Sequence, residues 1–310
     1  MIILITGING FVGKNLVCSL NNHVIYGVSR NSARNENTVT TYAWNELDKI
    51  PSVDVVIHLA GKAHDTKNKT ESETYFEINT GLTQKIFDWF LKSEAKKFIF
   101  FSSVKAVADE VCGVLMEDVL PAPKGPYAES KLKAEEYISE FWKQNANQSK
   151  KQIYILRPCM IHGYGNKGNL NLLYNIVKKG IPWPLGSFDN QRSLISIDNV
   201  SYIINQIIEK DIPSGIYNLA DDKAVSTNQI IKIICDVMHR KCRIAYTNKN
   251  IMKNIAKIGD IFHLPLNQER MKKLTQNYIV SNNKIKKALS VSNLPVSVED
   301  GLIKTFNSFI

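Results

Sequence analysis

MIILITGINGFVGKNLVCSL, residues 1–20, is the stretch that decides the fold of this 310-residue chain. Its opening apolar run ends at Thr6. Three glycines then follow at a Gly-x-x-Gly-x-x-Gly spacing, namely Gly7, Gly10 and Gly13. Apolar residues next recur at helical spacing, at Phe11, Val12, Leu16, Val17 and Leu20. This pattern predicts a strand, a tight turn and a helix.

The predicted turn has the features of a phosphate-binding site. Glycines let the backbone turn sharply and approach a ligand closely, and a helix N-terminus presents free N–H groups and a partial positive charge. We therefore expect a dinucleotide, bound through its pyrophosphate. The spacing differs from the Gly-x-Gly-x-x-Gly of the principal dehydrogenase fingerprint. An ordinary strand-to-helix connection is the alternative interpretation.

Composition limits the class of protein. The chain is 44% hydrophobic and 22% charged, which is typical of a soluble globular protein with one large domain or a domain plus a smaller lobe. It contains no apolar run of the roughly 18 residues that a membrane span needs, and no basic leader precedes the first strand. We expect a cytoplasmic protein without an integral membrane segment. The five cysteines are scattered and suggest no metal site.

The net charge of +10 permits anionic small molecules, nucleic acid or an acidic membrane surface as partners. The lysines are densest in residues 241–257 and 272–287, but no basic helix interleaved with aromatic residues is present. We therefore expect no nucleic-acid binding. A solvated, lysine-rich surface explains the charge equally well.

Residues 23–29 (HVIYGVS) predict a second strand, and the residue that ends it bears on cofactor choice. An acidic side chain there would bond the adenosine ribose hydroxyls and select NAD. This chain has Ser29 followed by Arg30 and, later, Arg34. Because a guanidinium can hold a 2′-phosphate, we predict NADP(H) in preference to NAD(H), with NAD(H) still possible. Alternatively, Arg30 merely begins a loop.

Two further apolar runs predict buried parallel strands, at residues 53–59 (VDVVIHL) and 97–103 (KFIFFSS). Ala60 and Gly61 follow the first, and small residues at a strand end leave room for a cofactor. His58 and His64 suggest a catalytic role, but we favour a packed or solvated histidine at each. Residues 73–92 predict one long helix between the two strands. The resulting fold class is α/β, a Rossmann-type doubly wound parallel sheet.

Tyr127 and Lys131 lie four residues apart at the start of another predicted helix and so share a face. A tyrosine with a pKa of about 10 exchanges protons poorly at neutral pH, but a nearby ammonium favours the phenolate. Ser103, at a strand end, can hydrogen-bond the same substrate oxygen. Because the spacing Tyr-x-x-x-Lys is common by chance, the pair indicates a catalytic role only in combination with the other motifs.

Together, Thr6-Gly7-x-x-Gly10-x-x-Gly13, Ser102-Ser103 and Tyr127-x-x-x-Lys131 resemble the extended short-chain dehydrogenase/reductase family, in particular its nucleotide-sugar epimerase and reductase branch. The similarity covers essentially the whole chain. It continues through His58-Leu59-Ala60, Asn79-x-Gly81, Arg157-Pro158, His162-Gly163, Pro182-x-Pro184-Leu185-Gly186 and Arg192-Ser193-Leu194.

This resemblance implies roles for individual residues. Tyr127 would be the catalytic acid/base, Lys131 would tune it and bond the nicotinamide ribose, and Ser103 would orient the substrate oxygen. Asn79 would support the active-site helix. The implied cofactor-binding residues are Gly7, Gly10, Phe11, Val12, Gly13, Ser29, Arg30, Leu59, Ala60, Gly61, Asn79, Ser102, Tyr127, Lys131 and Pro158. The implied substrate-binding residues are Ser103, Lys105, Tyr127, Asn169, Leu185, Arg192 and Arg270. Arg192 can grip a diphosphate or, alternatively, pair with Asp198.

The same resemblance implies the organisation of the chain. Residues 1–165 would mainly form the dinucleotide-binding domain. Residues 166–310 would mainly form a smaller C-terminal substrate-binding lobe, with some segments returning to the sheet. We expect a UDP-sugar substrate and a homodimer formed through the helices in residues 73–92 and 127–142.

Departures from the sequence motifs of the family reduce the number of reactions that this chain is expected to catalyse. The 4,6-dehydratases carry Thr-Asp-Glu where this chain has Ser103-Val104-Lys105, so the acid and base that eliminate water are missing. With Ser29-Arg30, this favours an NADPH-dependent reductase. Ser102-Ser103-Val104-Lys105, with the Pro-Leu-Gly and Arg-Ser-Leu signatures, is similar to a subgroup that reduces 4-keto-6-deoxy-hexosamine nucleotides. This resemblance implies reduction of a UDP-4-keto-6-deoxy-N-acetylhexosamine in surface polysaccharide precursor synthesis. A UDP-hexose or UDP-N-acetylhexosamine 4-epimerase is the alternative. A non-catalytic dinucleotide-sensing protein is a remote third.

Overall fold

Strands rich in isoleucine, valine and phenylalanine form the centre of the molecule. The structure, a computed structural model, describes residues 1–30, 39–63, 71–145, 150–166, 168–261 and 267–310. In these ranges the strands are β1 (Ile2–Thr6), β2 (Val24–Ser29), β3 (Thr40–Ala43), β4 (Val55–His58), β5 (Lys97–Phe101), β6 (Val114–Leu115), β7 (Gln152–Pro158), β8 (Met160–His162), β9 (Leu194–Ser196), β10 (Gly215–Leu219) and β11 (Ile279–Val280).

Seven of the described strands form one parallel sheet in the order β3-β2-β1-β4-β5-β7-β10. The chain leaves β1 toward one edge and returns at β4 to build the other. Thr6, the last residue of β1, therefore lies between Val28 of β2 and His58 of β4. Such a reversal opens a crevice at the carboxyl ends of the strands, where doubly wound proteins bind ligands. The predicted α/β fold is confirmed.

Helices cover both faces of this sheet. In chain order they are α1 (Phe11–Ser19), α2 (Ser72–Tyr75), α3 (Leu82–Lys92), α4 (Pro126–Asn145), α5 (Asn169–Lys178), α6 (Ile197–Glu209), α7 (Thr227–Val237), α8 (Lys249–Ile261), α9 (Gln268–Thr275), α10 (Asn283–Leu289) and α11 (Val298–Asn307). Leu16 of α1 and Ile203 of α6 pack on one face, while Phe87 of α3 and Ile138 of α4 pack on the other. Burying each such side chain contributes about 1.5–3 kcal/mol.

The single helix expected over residues 73–92 is interrupted by one π-helical turn, Phe76–Gly81, which separates α2 from α3. The buried residues of this turn are polar, Asn79 and Thr80. They face α4 rather than the apolar layer, so the N-terminal part of the helix packs differently from its apolar C-terminal part.

A second core lies beside the sheet and is built from the C-terminal half of the chain. It includes Leu173 of α5, Ile231 of α7 and Leu302 of α11. The short parallel pairs β8–β9 and β6–β11 connect this region to the segments that follow β5 and β7. The division near residue 165 stays a prediction. Within the described ranges, no helix is long and apolar enough to cross a membrane.

Candidate active site

The glycine-rich turn packs directly against the end of β4. Gly7 has a φ of +70°, its N–H donates to the carbonyl of Val28 at 3.2 Å, and its own carbonyl accepts from Gly10 N–H at 2.9 Å. A Cβ added at Gly7 would lie 2.7 Å from the backbone nitrogen of Ala60, and one added at Gly13 would lie 2.6 Å from the Gly7 carbonyl oxygen. Larger residues would therefore push the turn away from the strand.

The helix that follows this turn offers an anion site. Helix α1 begins at Phe11 after Gly10, and among the described residues no side chain caps its N-terminus and no acidic residue lies in its first turn. The positive end of the helix is thus open to a negatively charged ligand.

A buried hydrogen-bond chain runs from β1 through His58 to the π turn. Ala60 N–H donates to Thr6 Oγ1 at 3.1 Å, and Thr6 Oγ1 lies 2.6 Å from His58 Nδ1. His58 Nε2 lies 2.9 Å from Thr83 Oγ1, which donates to the Asn79 carbonyl at 2.6 Å. Thr83 therefore accepts from Nε2–H, and His58 is neutral with Nδ1 as acceptor. Burial, and secondly the Lys131 charge, holds the pKa of His58 well below its ordinary value. His58 is packed, as the sequence favoured.

Asn79 connects this chain to the start of α4. Its Oδ1 accepts from Lys62 N–H at 2.7 Å, and its Nδ2 donates to Ser130 Oγ at 3.0 Å. Ser130 Oγ in turn donates to the Tyr127 carbonyl at 2.9 Å. Asn79 thus joins the end of β4 to the turn of helix that carries Tyr127.

Lys131 is hydrogen-bonded to the carboxyl end of β5. Its Nζ donates to the carbonyl of Phe101 at 2.8 Å and lies 5.0 Å from the centre of the Phe100 ring. A Cβ added at Gly61 would lie 3.2 Å from this Nζ, so the ammonium packs closely against the Gly61 backbone. Burial lowers the pKa of Lys131 to about 8, although the negative charge of Glu135 raises it.

Tyr127 is half-buried, and its hydroxyl is hydrogen-bonded to Ser103. Burial raises the pKa of Tyr127 above 10, the Ser103 hydrogen bond opposes that effect, and Tyr75 adds to it. The ring of Tyr75 meets that of Tyr127 edge-on at 6.2 Å. The sequence led us to expect that Lys131 would favour the phenolate. Burial prevails instead, and Tyr127 is a phenol that can donate a proton.

The other predicted cofactor residues follow the ends of neighbouring strands. Ser29 ends β2 and is followed by the exposed Arg30, while Leu59 follows β4. Pro158 ends β7, and Ser102, just after β5, donates a hydrogen bond to Glu135. Arg34 and His64 lie outside the described residues.

Two cationic substrate candidates lie near one another in the structure. Lys105 Nζ bonds the backbone carbonyl and Oδ1 of Asp109, both at 2.9 Å, and lies 4.7 Å from the centre of the Tyr278 ring. Arg192 pairs through its backbone with Tyr278, and its Nη1 donates to the carbonyl of Lys273. Burial lowers the pKa of the Arg192 guanidinium.

The alternative partner for Arg192, Asp198, is engaged elsewhere. Its Oδ2 pairs with Lys304 Nζ at 2.7 Å. The diphosphate role of Arg192 stays a prediction.

The three remaining substrate candidates differ in exposure. Asn169 is exposed at the first position of α5, and Arg270 is exposed in α9, where its N–H donates to Asn267 Oδ1 at 2.8 Å. Leu185 is only 2% exposed and packs in the second core, so its contribution is to the shape of that region. Substrate contact by all three stays a prediction.

Sequence reasoning gave no site role to three residues that border the site. Tyr75 packs on Tyr127, and Glu135 forms a buried ion pair with Arg157 beside Lys131. The four-residue spacing of Lys131 and Glu135 was a usable signal for a shared helix face. No comparable spacing signal joined Arg157 to Glu135, because they are brought together only by the packing of β7 against α4.

A glycine turn ahead of a helix, at the carboxyl edge of a doubly wound parallel sheet, defines a Rossmann-type dinucleotide-binding protein. Residues 3–220 match the sequence model of the NAD dependent epimerase/dehydratase family. The chain belongs to this family. The resemblance to extended short-chain dehydrogenases/reductases is thereby confirmed, and the chain is an enzyme of that class.

Individual relatives agree with this membership. The chain is similar to UDP-glucose 4-epimerase of Vibrio cholerae, with 32% identity over 247 residues that cover 74% of each chain. Its fold is similar to that of UDP-N-acetylglucosamine 4-epimerase from Bacillus cereus, with a TM-score of 0.77, 16% identity, and coverage of 100% and 99%. It is also similar to UDP-glucuronic acid 4-epimerase from Bacillus cereus in complex with NAD, with a TM-score of 0.76, 20% identity, and coverage of 99% and 98%.

The residues at the strand ends fit a nicotinamide dinucleotide. A side chain at Gly7 would collide with the backbone after β4, and one at Gly13 would collide with the turn. The open positive end of α1 suits a pyrophosphate. Gly61 lets the Lys131 ammonium and the Asn79 amide oxygen pack closely against the backbone after β4, and both groups can bond ribose hydroxyls. The donor set therefore matches the cofactor that the family requires.

Proposed function

We propose that this chain reduces the 4-keto group of a UDP-linked 4-keto-6-deoxy-N-acetylhexosamine with NADPH, in the synthesis of a surface polysaccharide precursor. The observation that carries the proposal is the hydrogen bond between Ser103 and Tyr127, on the helix that also carries the Lys131 ammonium bonded to the end of β5. These groups can supply the proton that the carbonyl oxygen takes up when the 4-keto group is reduced.

Each residue has a distinct chemical task. A bound nicotinamide dinucleotide supplies hydride to the carbonyl carbon. Tyr127, protonated at neutral pH, donates its phenolic proton to the developing alkoxide oxygen, and the resulting phenolate is stabilised by the Lys131 ammonium. Ser103 orients the same oxygen through its hydroxyl. Proton donation of this kind contributes about 10²–10⁴-fold in rate, and preorganised donors contribute further.

The segment after β5 supports reduction rather than dehydration. Ser103, Val104 and Lys105 offer no carboxylate that could remove a proton from C5 or protonate a leaving hydroxyl. The Lys105 ammonium is held by Asp109 at 2.9 Å. A substrate whose 4-keto group is already present would need only hydride and a proton.

The choice of NADPH rests on the end of β2. Ser29 and Arg30 stand where an acidic residue would select NAD, and Arg30 is exposed and so can reach a 2′-phosphate. The family as a whole is NAD dependent, so NADPH preference is a specific proposal for this chain.

A 4-epimerase is the second candidate, and one observation favours it. The Vibrio cholerae relative, at 32% identity, is a UDP-glucose 4-epimerase. In that reaction Tyr127 would have to be a phenolate when it accepts the proton of the C4 hydroxyl, and it would later return that proton. A bound NAD would take the C4 hydride and give it back.

One experiment separates these candidates. The purified protein is examined by mass spectrometry for retained dinucleotide and then assayed with NADPH and the UDP-4-keto-6-deoxy sugar, and separately with UDP-glucose and UDP-N-acetylglucosamine. Stoichiometric NADPH oxidation with a reduced sugar product supports the reductase. Tightly retained NAD, with conversion of a UDP-hexose to its C4 epimer and no net NADPH use, supports the epimerase and overturns the proposal.

A further inference from the structure

A buried ion pair lies directly behind the catalytic lysine. Arg157 Nε is 3.0 Å and 3.1 Å from the two carboxylate oxygens of Glu135, and Nη2 is 2.6 Å from Oε2. Glu135 is 2% exposed and Arg157 is 3% exposed. Removing two charges from water costs several kcal/mol per ion, so the fold retains this pair against a large penalty. The position of this ion pair behind Lys131 indicates why the fold retains it.

The pair joins four elements at the carboxyl edge. Glu135 also accepts a hydrogen bond from Ser102, which lies between the end of β5 and Ser103. Arg157, on β7, reaches the Glu117 carbonyl at 3.5 Å, and Glu117 Oε1 accepts from Asn218 N–H of β10 at 2.9 Å. Helix α4 is therefore fixed to β5 and β7 at the level of the active site.

Glu135 lies one helical turn after Lys131 on α4, so the two side chains share the buried face. Burial favours the neutral amine of Lys131, whereas the Glu135 charge favours the ammonium and raises the pKa of Lys131. Among the causes that act on the pKa of Lys131, Glu135 is the one that opposes burial.

We propose that Glu135, held in place by Arg157 and Ser102, is a positioning residue that keeps Lys131 protonated at neutral pH. It touches neither the substrate nor the cofactor and acts through Lys131. The inference rests on the proposed function only for its consequence in turnover, because the protonation of Lys131 can be measured without any substrate. Arg157 serves as the anchor that stops the Glu135 carboxylate from turning away.

The test measures Lys131 directly. Protein labelled with ¹³C at the lysine ε-carbon is titrated by NMR, and the Lys131 signal is identified by its loss in Lys131→Arg. Glu135→Gln removes the charge but keeps the side-chain size, and we expect the Lys131 titration midpoint to move to lower pH by about one unit or more. Glu135→Asp keeps the charge and should restore most of the shift.

Two further variants make the result decisive. Tyr137→Phe is the matched control, because it removes a hydrogen bond of 2.7 Å between α4 and Asp88 on the side of the helix that faces α3. It should leave the Lys131 midpoint unchanged. Where Glu135→Gln does not fold because Arg157 is left buried and unpaired, the double variant Glu135→Gln/Arg157→Gln removes both charges and should still lower the midpoint.

The outcomes are separable from those of the proposed reaction. An unchanged Lys131 midpoint in the folded Glu135 variants overturns the positioning role, whatever the protein does with nucleotide sugars. A lowered midpoint supports it even where no keto-sugar is reduced. With an active assay, the alkaline limb of the turnover profile should move to lower pH by the same amount as the NMR midpoint.

Discussion

The ammonium of Lys131 donates a 2.8 Å hydrogen bond to the backbone carbonyl of Phe101. A residue of α4 thereby satisfies the last carbonyl of β5, and the helix that carries Tyr127 is held against the strand that leads to Ser103. The ammonium is consequently buried, and burial lowers the pKa of Lys131 to about 8.

Turnover should fall as pH rises through the pKa of Lys131, about 8. Below this value the lysine is charged and stabilises the Tyr127 phenolate as it forms, whereas above it the neutral amine cannot. The measurement is kcat at saturating substrate from about pH 6 to 10. In Lys131→Arg the charge persists across this range, so any remaining activity should lack the alkaline decline. A decline at the same pH in that variant would assign it to another group.

Tyr127→Phe should lower turnover by about 10²–10⁴-fold, because the proton donor is lost. Cofactor affinity should change little, since the ring and its edge contact with Tyr75 remain. Turnover and dinucleotide binding are measured on the same preparation. Activity close to that of the parent protein would remove Tyr127 from the mechanism.

Gly61→Ala should weaken dinucleotide binding, because the new Cβ would lie 2.9 Å from Asn79 Oδ1 and 3.2 Å from Lys131 Nζ. Both groups would have to move. Gly81→Ala is a matched control, since its nearest neighbour is the Phe76 carbonyl oxygen at 3.8 Å. Isothermal titration with NADPH and NADH should show a loss for Gly61→Ala alone. Equal affinities in both variants would argue against cofactor binding by Asn79 and Lys131.

Arg30→Ala should reduce NADPH affinity about tenfold or more and leave NADH affinity nearly unchanged, because only NADPH carries the 2′-phosphate that the guanidinium can hold. Dissociation constants for both cofactors are compared in parent and variant. Equal losses for the two would show that Arg30 acts on the fold or on a shared part of the cofactor.

His58 should make the protein less stable at acidic pH. Its folded-state pKa lies well below 6.5 because the ring is buried, while the unfolded chain retains the ordinary value. The unfolded state therefore binds a proton first, and stability is lost as pH falls from about 6.5 toward the folded-state pKa. His58→Gln should flatten this part of the melting-temperature profile.

The parallel sheet could be predicted because its strands are covered on both faces and therefore appear as unbroken apolar runs. β4 and β5 are buried along their whole length. The ends of these strands were predicted less accurately. The predicted strands over residues 53–59 and 97–103 extend past His58 and Phe101, whereas the observed strands end at these two residues. The residues that follow are still packed or buried, Leu59 against the core and Ser102 and Ser103 at 5% and 8% exposure, so their sequence signal resembles that of the strand.

The polar support of the site could not be predicted in the same way. Apolar periodicity detects burial by hydrophobic packing, whereas Asn79 and Thr83 are buried by hydrogen bonds, in Asn79's case to a partner 51 positions away. The same holds for Arg157, a charge within an apolar strand whose partner lies on a helix. The protonation of Tyr127 also required the structure, because burial and the Lys131 spacing predict opposite shifts in its pKa.

The π turn at Phe76–Gly81 sets the phase of the helix on either side of it. One extra residue in a turn rotates the rest of a helix by about 100° relative to an uninterrupted one. Before the turn Tyr75 faces Tyr127, and after it Phe87 faces the sheet. Loss of a single residue here would turn one of these faces away from its partner. Sequences that share this site should therefore vary in residue identity along this segment far more freely than in its length.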